Sequence, residues 1–163
     1  MTTYEDLAPN SKVWIFQSER EFTPEELQSL TESLTAFVNN WLSHGSLVKG
    51  HFKVLHKRFI VFFADEAGEA MCGRAVDSSV RFIKELETKM GTSMLNRSLV
   101  AYMKEGKVLS CNLNQLAQLS EEGKISPDTL MFNNLVATKS DFEKNWMIPL
   151  STSWHQNYIL QKS

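Results

Sequence analysis

A chain of 163 residues with 42% hydrophobic and 22% charged residues has the composition of a folded domain, well away from disordered chains and long enough to bury a core. Its net charge of −2 argues against a dedicated nucleic-acid partner, which a basic excess would signal. No apolar run reaches the roughly 20 residues of a membrane helix. The only cysteines, Cys72 and Cys111, lack metal-like spacing and cannot build a disulfide framework, so the expectation is a reduced, cytoplasmic setting without leader segment, metal or cofactor.

Residues 1–12 read as a lead-in. Val13-Trp14-Ile15-Phe16 follows as a strand that is apolar on both faces, where a half-solvated strand would alternate. Thr23-Pro24-Glu25-Glu26 is a capping box with proline at the first helical position, and Phe22 and Leu27 stand where a hydrophobic staple would. Leu27, Leu30, Leu34, Phe37, Val38 and Trp41 continue it as one apolar stripe, with Gly45 as the expected helix end and His44 beside the last carbonyls. A hairpin comes next. Val48, Phe52 and Val54 are expected on one side and Lys49, His51 and Lys53 on the other, with a turn at His56-Lys57-Arg58. Phe59-Ile60-Val61-Phe62-Phe63 is the second strand apolar on both faces. A loop from Asp65 to Val76 leads to a helix predicted near 77–90, capped by Asp77 or Ser78. Leu99–Met103 and Lys107–Cys111 form a hairpin around Glu105-Gly106. The rest reads as a short helix near 113–121, a strand at Thr129–Phe132, and a tail carrying Phe142, Trp146, Trp154 and Tyr158.

The order β-α-β-β-α-β predicts an α+β protein: one domain over 1–163, with a ferredoxin-like core and antiparallel sheet at 13–111 and an α/β extension at 112–163. Strands apolar on both faces require a cover for the sheet face that the helices leave bare. Either Trp14 or Phe16 is expected to point away from the helices and be buried by residues 130–160. A second copy of the chain is the other candidate cover, so a homodimer stays open.

Three sequence features suggest chemistry. Ile60–Ala64 followed by Asp65-Glu66 has the shape of a Walker B strand, but Gly106-Lys107 and Gly123-Lys124 run on into Val108 and Ile125, so no phosphate loop exists and ATP hydrolysis is rejected. Cys72, Arg74, Asp77, Ser78 and Ser79 cluster where a helix should begin, and exposed amides with Arg74 as counter-charge would suit an anion there. An ordinary cap beside a small buried cysteine is the plainer reading and is preferred. Lys49, His51, Lys53, Lys57 and Arg58 make a basic hairpin, readable as a phosphate or nucleic-acid patch or as a lysine-protected strand edge; the acidic whole favours the edge. An RNA-recognition sheet would stack bases on Trp14 and Phe59, yet Val61 stands where a second aromatic belongs. Ser153 and His155, so close in an extended tail, are not expected to pair as nucleophile and base.

Ser11-x-Val13-Trp14-Ile15-Phe16-Gln17, Asp77-Ser78-Ser79-Val80-x-Phe82-Ile83, Phe132-Asn133-Asn134-Leu135-Val136 and Ser153-Trp154-His155 together resemble a family of small uncharacterised bacterial proteins often labelled "ABC transporter ATPase". The resemblance implies a shared fold and no established activity. Leu116-x-x-Leu119-x-x-x-Gly123-x-Ile125-Ser126-Pro127-Asp128-Thr129-Leu130 is similar to the helix–turn–strand of GYF-type adaptor domains, which implies protein interaction, although the Gly-Tyr-Phe signature is missing. The leading expectation is a non-enzymatic module that binds a protein or a small molecule. The alternatives are an enzyme or anion-binding protein using 72–79, and RNA binding through the sheet and the basic hairpin.

Overall fold

In the computed structural model, which describes residues 2–65 and 73–160, the central strand of the fold is the segment richest in apolar residues. Chain order runs β1 (Lys12–Gln17), α1 (Pro24–Asn39), β2 (Leu42–Ser43), β3 (Ser46–Leu47), β4 (Lys49–Leu55), β5 (Phe59–Asp65), α2 (Gly73–Met90), β6 (Leu99–Lys104) and β7 (Lys107–Asn112). It continues through α3 (Leu116–Glu121), β8 (Leu130–Phe132), α4 (Lys139–Asn145), β9 (Met147–Pro149) and α5 (Asn157–Leu160). The α+β class stands, with every strand pair antiparallel.

β5 sits between β1 and β4, and Phe59 through Ala64 are all buried. Its even-numbered residues, Ile60, Phe62 and Ala64, meet Leu30, Leu34 and Val38 of α1 and Ile83 and Leu86 of α2. Its odd-numbered residues, Phe59, Val61 and Phe63, face the opposite way, with Val13 and Ile15 of β1. Trp14 and Phe16 both lie on the helix side, which corrects the expectation that one of them would point to the covered face. Two residues separated by one share a face of a strand, so they could not have been divided between the faces.

The covered face is sealed from within the chain. Phe132, Val136, Phe142 and Trp146 close over it, with Phe59 and Phe132 ring centroids 4.9 Å apart and Phe59 and Trp146 5.1 Å apart. The lead-in also helps: Leu7 is buried, and the Tyr4 ring lies edge-on to Phe63 at 5.2 Å.

The ferredoxin-like arrangement does not carry over to the strand pairing. That fold would lay β6 alongside β1, but β6 joins a second sheet of order β7-β6-β8-β9. The outer edge of β1 is taken instead by residues 137–139, through Val13 N–H to the Ala137 carbonyl at 3.0 Å and Lys139 N–H to the Ser11 carbonyl at 2.9 Å. The reason is that β6 is itself two-faced. Ala101 and Met103 belong to the cluster against the first sheet, whereas Val100 and Tyr102 join Leu116, Ile125, Met131 and Leu150 beyond it. A strand that must bury both faces is better placed in a second sheet stacked on the first. The segments 13–111 and 112–163 are therefore joined by strand pairing, since β6 and β8 share that sheet.

α1 begins as its sequence dictates. Thr23 Oγ1 accepts from the Glu26 amide at 3.2 Å, and the Thr23 amide donates to Glu26 Oε1 at 2.9 Å. The helix ends at Asn39, short of Gly45. His44 and Gly45 take φ of 53° and 80° and form the turn between β2 and β3, so His44 does not sit at a helix terminus. Two successive positive φ values mark the tight hairpin turn that fits the twist of its strands.

Candidate functional site

The helix expected at 77 starts at Gly73, which changes the meaning of the cluster before it. Only the first turn of a helix offers unpaired amides, and Asp77, Ser78 and Ser79 lie past it. Ser78 Oγ donates to the Ala75 carbonyl at 2.8 Å and Ser79 Oγ to the Val76 carbonyl at 2.6 Å, while Asp77 is exposed. These three residues neither cap the helix nor turn amides toward an anion. Arg74 belongs to the first turn of α2, and Cys72, like Glu66 of the Walker B-like run, lies outside the described residues. Burial pushes the thiol of Cys111 up to about 11, which suits a packing residue rather than a nucleophile.

The basic hairpin is taken apart by the fold. Lys49 Nζ donates to the Asp6 carbonyl at 3.1 Å and lies 3.7 Å from Asp65. His51 Nδ1 is 3.0 Å from the Thr2 carbonyl, and burial holds its pKa below the usual histidine range. Lys53 lies over the Tyr4 ring, 4.0 Å from its centroid. These three residues fasten the lead-in to β4. Lys57 is exposed at the turn, whereas Arg58 is buried. The four cations and the imidazole thus form no continuous row. The sheet face on which RNA bases would stack is covered, and Trp14 lies on the opposite side of the sheet from Phe59.

Ser153 and His155 do meet, contrary to the expectation for an extended tail. The tail is coiled in short 3₁₀ turns, and Ser153 Oγ lies 2.5 Å from His155 Nδ1, with His155 wholly buried. Ser153 Oγ also accepts from the His155 amide at 3.4 Å, so the pair caps a turn in the core. Asn133 and Asn134, in the loop after β8, accept from two indoles: Trp154 Nε1 at 3.0 Å and Trp146 Nε1 at 2.9 Å. Asn134 Nδ2 donates in turn to Gln17 Oε1 at 3.0 Å. Gln17 of β1, the loop after β8 and Trp154 of the tail are therefore partners in one network of amides and indoles.

A site that sequence reasoning did not find lies where α1 gives way to β4. An open cleft of about 500 Å³ is lined by Thr2, Val38, Asn39, Leu47, Val48, Lys49 and Gly50. Leu47 pairs across the small hairpin with Leu42, and these side chains are 67% and 52% exposed. Trp41 is buried beside the cleft because Gly50 lets it approach; a Cβ at position 50 would stand 3.1 Å from Trp41 Cε3. The Trp41 indole donates to the Ala75 carbonyl at 2.9 Å, which ties the cleft to α2. Apolar walls from Val38, Leu47 and Val48 meet a polar rim of Thr2, Asn39 and Lys49, a composition suited to holding an apolar group. Among the described residues that line it there is no histidine, cysteine or carboxylate. The signal in the sequence was Leu42-Ser43-His44-Gly45-Ser46-Leu47, a hairpin pattern around a glycine.

Among the described residues no group of three or more His, Cys, Asp or Glu side chains could hold a metal ion, and no helix is long and apolar enough to cross a membrane. No family model, curated protein or solved structure matches the chain.

Proposed function

We propose that the protein is a non-catalytic binding module that seats an apolar group, from a protein or a small molecule, in the cleft between the end of α1 and the start of β4. The observation that carries this reading is the cross-strand pair Leu42–Leu47, both leucines more than half exposed beside a cleft with apolar walls. Directly opposed leucines would normally shield each other and their neighbours from water. Left in solvent at the mouth of a cleft, they gain by covering apolar surface brought by another molecule.

Anilinonaphthalene sulfonate, an apolar dye with an anionic end for Lys49, is a direct probe. The native protein is expected to bind it, and Leu47→Asp to weaken that binding by about tenfold, roughly 1.4 kcal/mol. Near-ultraviolet circular dichroism checks that both proteins keep their tertiary packing. Absence of dye binding by the folded wild type, or equal binding by the variant, would refute the assignment.

A further inference from the structure

An open sheet ends in strands whose outward N–H and C=O groups invite another strand, and folded proteins blunt such edges. Most edges of this fold are blunted. Residues 137–139 occupy the outer side of β1, where Val13 N–H donates to the Ala137 carbonyl at 3.0 Å. β4 carries Lys49 and Lys53, and both of them, with His51, fasten the lead-in along it. β9 is three residues long and ends in Pro149. β7 has none of these devices. It is six residues long, pairs with β6 on one side, and holds a single charge, Lys107, at its first position. Leu109, near its middle, is 39% exposed.

The register decides which groups of β7 are open. A two-residue turn, Glu105-Gly106, joins the closing pair Lys104–Lys107, which in such a hairpin exchanges hydrogen bonds. Alternation then makes Tyr102–Leu109 and Val100–Cys111 the bonded pairs, so Val108, Ser110 and Asn112 turn their N–H and C=O groups outward. Two neighbouring contacts agree. Leu113 N–H donates inward to the Ser98 carbonyl at 2.9 Å, and the outward Asn112 N–H donates to its own acceptor, Gln115 Oε1, at 2.8 Å. Among the described residues nothing bonds the outward amide or carbonyl of Val108 or Ser110.

We infer that β7 is a dimerisation edge, pairing antiparallel with β7 of a second copy of the chain about a two-fold axis at Leu109. That register sets Val108 opposite Ser110 of the second copy, and Ser110 opposite its Val108. Each of these residues brings one N–H and one C=O, so the eight groups of the two strands close four hydrogen bonds with none left over. Leu109 falls on the axis as a non-bonded pair, where side chains stand closest, and each leucine covers the other. Lys107 falls opposite Cys111, which holds the two lysines roughly 13 Å apart along the strands, beyond the Debye length at physiological salt. A parallel pairing in register would set them side by side. One segment thus supplies both halves of the match, and no other partner is needed. The edge shares no residue with the cleft lined by Leu47, so the two readings fail separately.

Pairing over so few residues buries less than the roughly 1,200 Å² of the smaller stable complexes, so the dimer is expected to exchange with monomer. Sedimentation equilibrium of the full chain over about 1 μM to 1 mM tests it. The expected result is a reversible monomer–dimer equilibrium. Ser110→Pro removes an outward N–H, leaves the ladder to β6 intact, and should abolish the dimer. Leu109→Lys sets like charges face to face and should raise the dissociation constant at least tenfold. It serves alone if circular dichroism shows that the proline variant does not fold. Leu47→Asp should dimerise as the wild type does; loss of the dimer there would move the contact to the cleft and overturn the proposal. A chain that stays monomeric throughout the range overturns it too, and leaves the edge to a foreign strand. So does association that the folded edge variants leave unchanged, which would place the contact on another surface.

Discussion

His155 illustrates how one buried ring can set the acid limit of the molecule. It has no exposed surface, its Nε2 has no partner, and burial pushes its pKa down to about 4. Above pH 6.5 the ring is neutral whether the chain is folded or not, and stability does not depend on it. Below that, the unfolded chain takes up the proton while the folded chain refuses it. Stability is therefore lost progressively as pH falls from about 6.5 to about 4, and the loss from this residue reaches about 3 kcal/mol. His51 is depressed by burial as well and adds to the wild-type slope in the same window. Urea denaturation at intervals between pH 7 and 4.5 should show a shallower slope for His155→Gln than for wild type, and the difference isolates His155. Identical slopes would mean that the ring is already protonated in the folded chain. Glu26 acts lower down. Hydrogen bonds from Arg20 and then from the Thr23 amide hold its carboxyl at about 2, so what it contributes is present above its unfolded value and is lost only as pH falls toward 2.

At the scale of elements, the turns separate what was legible from what was not. Glu105-Gly106 and the capping box at Thr23 could be read directly, because local chemistry decides them: φ of 52° and 78° in the first, reciprocal hydrogen bonds in the second. The β4–β5 turn obeys the same geometry with the wrong residues, since His56 and Lys57 take φ of 52° and 58°. Lys57 is exposed, and its backbone carbonyl, rather than its side chain, holds Phe22. Lys57→Gly should therefore stabilise the protein by about 1 kcal/mol, the strain of a left-handed residue less the extra freedom glycine brings to the unfolded chain. Chemical denaturation measures it, and a loss of stability would mean that the lysine side chain serves the fold in another way. Gly45 was harder to place, because a glycine after an apolar stripe reads equally as a helix end or as a hairpin turn. The choice rests on Trp41, whose indole leaves the helical path to reach Ala75, a contact with no local signature. The cleft beside Leu47 depends on that choice and stayed hidden with it.

Across the whole molecule, the two-sided hydrophobicity of β5 shows that a cover must exist, and residues 130–160, with the aromatics of the tail, were legible as the segment within the chain that supplies it. Which side chains meet there was not, because Phe132, Val136, Phe142 and Trp146 are too scattered in sequence to declare a common face. The pairing of β6 with β7 and β8 makes the cover part of the fold: β6 stands between the two cores, contributing Ala101 to one and Val100 and Tyr102 to the other. Two consequences follow for variants. Phe132→Ala removes a ring that touches Phe59, Trp146 and His56 at centroid distances of 4.9, 4.9 and 5.4 Å, and should cost about 3–5 kcal/mol. A chain ending at Asn112 should fare worse, because it bares Phe59, Val61 and Phe63 and leaves β6 without β8. Such a chain is expected to aggregate or to bind hydrophobic dye without a cooperative melt, as judged by light scattering and calorimetry. A soluble, monomeric fragment melting cooperatively near the full-length temperature would show that β1, β4, β5 and the two long helices form a finished core by themselves. The apolar face shared by β1 and β5 would then need an explanation other than cover by the chain's own C-terminal third.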